Sequence, residues 1–225
     1  MDNFSITQYG KPLDESLYSI DLERKIFTSL SDNLVLDFTY VDDWKFNTGN
    51  DCTFNTGYGC TFKTGNSCTF KTGSRCSFKT GYTCTFKTMG GCIFKTGNEC
   101  TFRTGANSNF TTSHSCILHT GSDCTFYTGE ACTFTTTTNC IFKTGLDCTF
   151  HTFSYCTFTT DIYCTFKTGF NCTFTTELGC IFSVYNIDTC KFKLYDGHST
   201  ILDRRDKKHY LLTQEFVALQ KVRNG

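Results

Sequence analysis

Seventeen cysteines in 225 residues are the first candidates for chemistry. Zinc is usually held through close pairs such as Cys-x-x-Cys, and the sequence contains no such pair. From Cys52 to Cys100 and from Cys116 to Cys180 the cysteines recur every eight residues, with Ser108 in the one vacancy. Thiols stacked on successive rungs of a sheet would offer a soft metal site. Free cysteine is also a small hydrophobe, and packing alone accounts for a spacing that follows the strand period. No metal or cofactor is expected. The five histidines, His114, His119, His151, His198 and His209, are scattered and form no triad pattern. The acids inside the cysteine array are few: Asp51, Glu99, Asp123, Glu130, Asp147, Asp161 and Glu177. Asp123 and Asp147 would stack at one corner if 24 residues made one coil. That is a weak cation site and reads better as a solvated turn. The glycines recur with the turns rather than before a helix, so no phosphate cradle is expected.

One charged feature stands out. Lys63, Lys71, Arg75, Lys79, Lys87, Lys95 and Arg103 cluster in the N-terminal half, against Asp51 and Glu99. Spread over three faces they would form a basic collar able to meet phosphates. The plain alternative is a soluble surface that blocks lateral sheet association.

These side chains are positioned by a repeat, which reads Cys-Thr-Phe-Lys-Thr-Gly-x-x. An extended chain alternates its faces with period two. Cys, Phe and the second Thr therefore point one way, and the first Thr and Lys the other. Lys does not line a narrow apolar interior, so the Cys-Phe-Thr face is the buried one. Leu118 in a Phe position and Val184 in a Thr position agree. The Lys position varies freely, holding Arg103, Thr111, His119, Tyr127 and His151. Gly-x-x turns the chain, and glycine accepts the positive φ that a tight corner requires. Weaker units extend the array: Leu36, Phe38 and Tyr40; Trp44, Phe46 and Thr48; and, after a two-residue insertion, Cys190, Phe192 and Leu194.

The corner glycine is missing at Met89, Ser113, Thr137, Asp161 and Tyr185, each 24 apart. Ile replaces the outward Thr at 93, 117 and 141, with the same spacing. This predicts an all-β fold: a single-chain parallel β-helix, or solenoid, of about 24 residues and three short strands per coil. Such a solenoid needs capped ends, because open strand edges template aggregation. Residues 1–35 are expected to be an irregular N-terminal cap, 36–195 the octapeptide-repeat solenoid, and 196–225 a C-terminal cap. That last cap has a turn at Asp196-Gly197, the polar run from Asp203 to Lys208, and a short helix near Thr213 to Val222. Phe216 and Leu219 would cover the last coil.

Composition bounds the rest. Twenty-one basic and 21 acidic residues cancel, which argues against a globally basic nucleic-acid binder. The start shows neither a basic nor an apolar leader region, and no run is long enough to span a membrane. A reducing compartment is expected, cytoplasmic in a host cell or within a virion, with free thiols and no membrane partner.

The repeat from Trp44 to Phe182 resembles that of uncharacterised octapeptide-repeat β-helix proteins of phages and other large DNA viruses. The resemblance implies a β-helical viral protein. Insect hyperactive antifreeze proteins are also Cys- and Thr-rich solenoids, but here Thr-Phe-Thr occurs only at 133–135, 157–159 and 173–175. Phage needle proteins interwind three chains; the 24-residue pattern favours one chain per helix. The expected function is a non-enzymatic binding or structural scaffold that meets a macromolecule, a polyanion or a protein, through outward faces or caps. A β-helix carbohydrate-active enzyme and an ice-binding protein are the alternatives.

Overall fold

The computed structural model describes residues 4–195 and 197–213. The chain divides into two units, Met1–Ser113 and His114–Gly225. Each is a β-solenoid built from two facing sheets of short parallel strands. The C-terminal helix expected near 213–222, and Asp196 of the expected turn, lie outside the described residues.

In the first unit one sheet stacks Leu34–Phe38, Thr53–Thr56, Thr69–Thr72, Thr85–Thr88 and Thr101–Arg103 in parallel. The other stacks Ile26–Thr28, Lys45–Asn47, Thr61–Lys63, Ser77–Lys79, Ile93–Lys95 and Asn109–Thr111. Parallel pairing thus begins earlier than residue 36. Antiparallel strands close this end. Ser5–Gln8 pairs with Leu34–Phe38, Lys11–Pro12 covers Ser5–Gln8, and Ser19–Asp21 covers Ile26–Thr28. Pro12 sits on the outermost strand, where its missing N–H does no harm and blunts the edge.

In the second unit one sheet runs Ile117–His119, Thr133–Thr135, Thr149–His151, Thr165–Lys167, Ile181–Val184 and Ser199–Asp203. The facing sheet runs Thr125–Tyr127, Ile141–Lys143, Thr157–Thr159, Thr173–Thr176 and Lys191–Leu194. Lys208–Leu212 folds back antiparallel on Ser199–Asp203 and ends the first of these sheets with a hairpin.

The coil is therefore two-sided, with 16 residues per turn in the regular repeats. Thr53 pairs with Thr69 and Phe54 with Phe70, and these rings lie 4.9 Å apart at 3°. The triangular 24-residue coil is overturned. Twenty-four residues span one and a half turns, so positions with that spacing fall on opposite edges and do not stack. Asp123 and Asp147 are accordingly on opposite edges. Nothing in the structure explains the 24-residue spacing of the missing corner glycines.

The inward pattern explains why two sides suffice. Each strand points one Phe inward, flanked by the smaller Cys and Thr. Two sheets can then close at their edges over the small residues and meet at the rings. Phe62 stacks on Phe78 at 4.9 Å and meets Phe70 of the facing sheet edge-on at 5.2 Å and 72°. Both arrangements are favoured aromatic geometries. The alternation of buried and exposed residues follows the expected faces from Cys52 to Phe182. It slips at the start: Leu36 pairs with Phe54 and Phe38 with Thr56, so Leu34 takes the Cys place and Tyr40 is exposed.

The corner glycines also act differently from expectation. Positive φ falls on the residue before each Cys from Cys52 to Cys180, as at Asp51, Ser67, Thr83 and Glu99. The corner glycines instead permit close approach between rungs. A Cβ on Gly73 would lie 3.0 Å from the backbone of Gly57, and one on Gly97 3.1 Å from that of Gly81. Elsewhere a side chain folds over the next rung. Asn50 and Asn66 each accept a hydrogen bond from the backbone N–H sixteen residues on, at 2.9 Å and 3.1 Å.

All seventeen cysteines are free and buried. The thiols also serve the corners. Cys52 donates to Asn50 O at 3.1 Å and Cys68 to Asn66 O at 3.3 Å. Ser108 does the same to Ala106 O at 3.3 Å and accepts from Cys92 N at 3.2 Å, so its hydroxyl fills the vacancy well. For Cys140, Cys148, Cys156 and Cys164 the thiol one rung before draws the pKa down. The thiol one rung after and burial push it up, to about 11 in each case. An unfolded thiol ionises near about 8.5. Between there and about 11 the unfolded chain loses protons that the folded chain keeps, so stability falls as pH rises. Cys52, Cys60, Cys84, Cys92, Cys172 and Cys180 shift the other way, chiefly through the hydrogen bond from a thiol on an adjacent rung, and oppose this. Because all seventeen are buried, alkylation should be negligible at about pH 8 while the fold is intact and should appear only together with loss of β-sheet signal. Rapid labelling of several thiols at pH 8 with the fold intact would contradict this.

Candidate functional site

The register that stacks the Phe rings also stacks the outward side chains. In the first unit Lys63, Lys79 and Lys95 are successive partners on one sheet. Lys71, Lys87 and Arg103 are successive partners on the facing sheet. The expected collar around three faces is thus two stripes of three cations on opposite faces. The physical reason is the two-sided coil: neighbouring repeats alternate between the two sheets. Arg75 joins neither stripe. It lies in a corner at φ 58° and donates its backbone N–H to Gly90 O at 3.1 Å.

Within a stripe the backbone spacing is ~4.8 Å per rung. All six side chains are exposed, and among the described residues none of them forms a salt bridge. Three cations in a row with no carboxylate partner repel one another through water and gain from any anion laid along them. Asn47 and Thr111 bound the first stripe, and Asn55 precedes the second.

Sequence reasoning missed Lys45. It occupies the first outward position of its strand, next to Thr61, and with Lys63 and Lys79 lines a shallow concavity of about 320 Å³ on that face. Period-two alternation already marked Lys45 as outward. Its distance from the lysine repeat by one pleat hid it.

The second unit presents different columns. His119, Thr135, His151 and Lys167 succeed one another on one sheet, and Tyr127, Lys143, Thr159 and Thr175 on the other. The Thr-Phe-Thr segments at 157–159 and 173–175 stack, but Lys143 and Lys193 bound them. The segment at 133–135 lies on the other sheet. The flat Thr array is therefore two rungs deep. Among the described residues no three His, Cys, Asp or Glu side chains converge to hold a metal ion. No helix among them is long and apolar enough to cross a membrane.

These features define a class: a cysteine-rich, two-sided β-solenoid with a phenylalanine core and outward side-chain ladders. Comparison with protein-family models, curated proteins and solved structures finds no match to this chain.

Proposed function

We propose that this protein is a non-enzymatic β-solenoid scaffold that holds a linear polyanion along the cation stripes of its first unit. The observation that carries the reading is the register pairing Lys63 with Lys79 and Lys79 with Lys95, mirrored by Lys71, Lys87 and Arg103 on the facing sheet. A fixed repeat of like charges at ~4.8 Å suits a ligand with its own regular charge spacing. Catalysis needs an acid, a base and a nucleophile brought together, and these faces offer repeated Thr and Lys instead. The likeness of the repeat to β-helix proteins of phages and large DNA viruses supports a viral scaffold working in a reducing compartment.

A duplex DNA fragment is the first probe. A stripe that neutralises three phosphates releases the corresponding counterions, so affinity should fall about 40-fold between 50 mM and 200 mM salt. Replacing Lys63, Lys71, Lys79, Lys87 and Lys95 by Thr should flatten that dependence and abolish binding at 100 mM salt. The fold should survive, because Thr111 already occupies the same outward column. Unchanged binding by the five-fold variant would sink the proposal.

A further inference from the structure

The second unit carries a groove of about 530 Å³ that the cation stripes do not involve. Its walls come from one corner column and the sheet beside it. Phe153, Gly169 and Tyr185 are successive rungs of that column: Gly169 N donates to Phe153 O, and Tyr185 N to Gly169 O at 3.1 Å. Phe153 is 67% exposed and Tyr185 54%. Large aromatic side chains so exposed leave a substantial apolar area in water. Gly169 contributes no side chain between them. Two rungs separate the residues bearing the rings by ~9.6 Å. A flat ring touching an aromatic face on each side needs about 7–8 Å. Phe170, joined to the previous rung through the Ser154 hydroxyl at 3.2 Å, adds a third apolar wall.

The charged side chains of the lining, Lys167 and Arg204, are cationic. His151 and Lys167 are neighbours on the outward column, and Arg204 reaches in from beyond the last parallel strand. Arg204 Nη2 donates to Thr168 O, while its Nε is buried with no hydrogen-bond partner. Among the described residues no carboxylate lines the groove. The acids nearest in sequence to Arg204 are already engaged. Asp188 and Asp206 pair with Arg205 at 3.3 Å and 2.9 Å. Asp203 accepts backbone N–H groups from Ile187, Arg205 and Asp206. Lys167 and Arg204 therefore present positive charge beside an aromatic slot.

We infer that this groove binds a nucleoside monophosphate, with the base between Phe153 and Tyr185 and the phosphate against Lys167 and Arg204. The volume falls in the range of small-ligand pockets. Stacking supplies affinity for the base without reading its identity, and the guanidinium matches phosphate geometry.

Titration of the full chain with AMP, adenosine, inorganic phosphate and glucuronate tests the inference. AMP should bind, and at least ten-fold tighter than either adenosine or phosphate. Phe153→Thr and Tyr185→Thr should each weaken AMP about ten-fold. Thr137 occupies the same corner column one rung before Phe153, so both variants should fold, as circular dichroism would check. Lys167→Thr should weaken AMP and leave adenosine unchanged. The five-fold lysine variant of the first unit should bind AMP like the parent, which separates this site from the stripes. AMP binding no tighter than phosphate, preference for glucuronate, or no effect of the two aromatic replacements would each overturn it.

Discussion

Phe158→Ala is expected to destabilise the protein by about 3–5 kcal/mol, the usual range for emptying a large buried aromatic site. Phe158 is fully buried. It stacks on Phe142 at 4.8 Å and on Phe174 at 5.0 Å. It meets Phe150 and Phe166 of the facing sheet edge-on at 5.2 Å and 5.1 Å. Deleting the ring removes four aromatic contacts and leaves a cavity, and the sheets cannot collapse to fill it. Their separation is held by the same ring pairs on the rungs above and below. Phe158→Leu should cost far less, because Leu118 occupies an equivalent buried place. The check is the urea midpoint of parent, Leu and Ala forms. A loss below about 1 kcal/mol for the Ala form would mean that the ring columns do not hold the two sheets apart.

Asp203→Ala should be nearly as costly, about 3 kcal/mol or more, through loss of charge-assisted hydrogen bonds and exposure of unpaired buried donors. Asp203 pairs with Val184 on the inward side of the last parallel strand and is fully buried. Its carboxylate accepts from Ile187 N at 3.0 Å, Arg205 N at 2.9 Å and Asp206 N at 3.3 Å. These bonds fasten the turn that leads into Lys208–Leu212, the strand that covers the sheet edge. The variant should therefore show early hydrogen exchange at Lys208–Leu212 and concentration-dependent association through the uncovered strand. Asp203→Asn should fall between, since the amide oxygen still accepts. Equal stability of the Ala form and the parent would show that the turn holds without the carboxylate.

The faces of the two proposed sites were legible before the coil was. Alternation placed Lys63, Lys71, Lys79, Lys87, Lys95 and Arg103 outward, and each is exposed. Which of them stand in line was not legible, because that depends on which strand lies next to which. Arg75 was grouped with them by nearness in sequence and belongs to a corner. The groove formed by Phe153, Tyr185, Lys167 and Arg204 left no local signal, since its walls come from separate rungs and from a strand end nineteen residues beyond Tyr185.

Asp203 shows the same limit from the other side. It stands in a polar run that gives no sign of burial, yet its strand carries it inward to the backbone donors of a turn. The amino-acid sequence by itself determined the strands, their inward Cys-Phe-Thr face and their parallel stacking. Period two is a property of the extended chain, and a repeated small-large-small face must be buried. Only the tertiary structure decided that two strands close a coil rather than three. That choice depends on how Phe rings from facing sheets meet, at 5.2 Å and edge to face, and on how closely corner glycines of successive rungs approach. Both are contacts between residues eight or sixteen apart, so their geometry emerges only when the rungs are assembled.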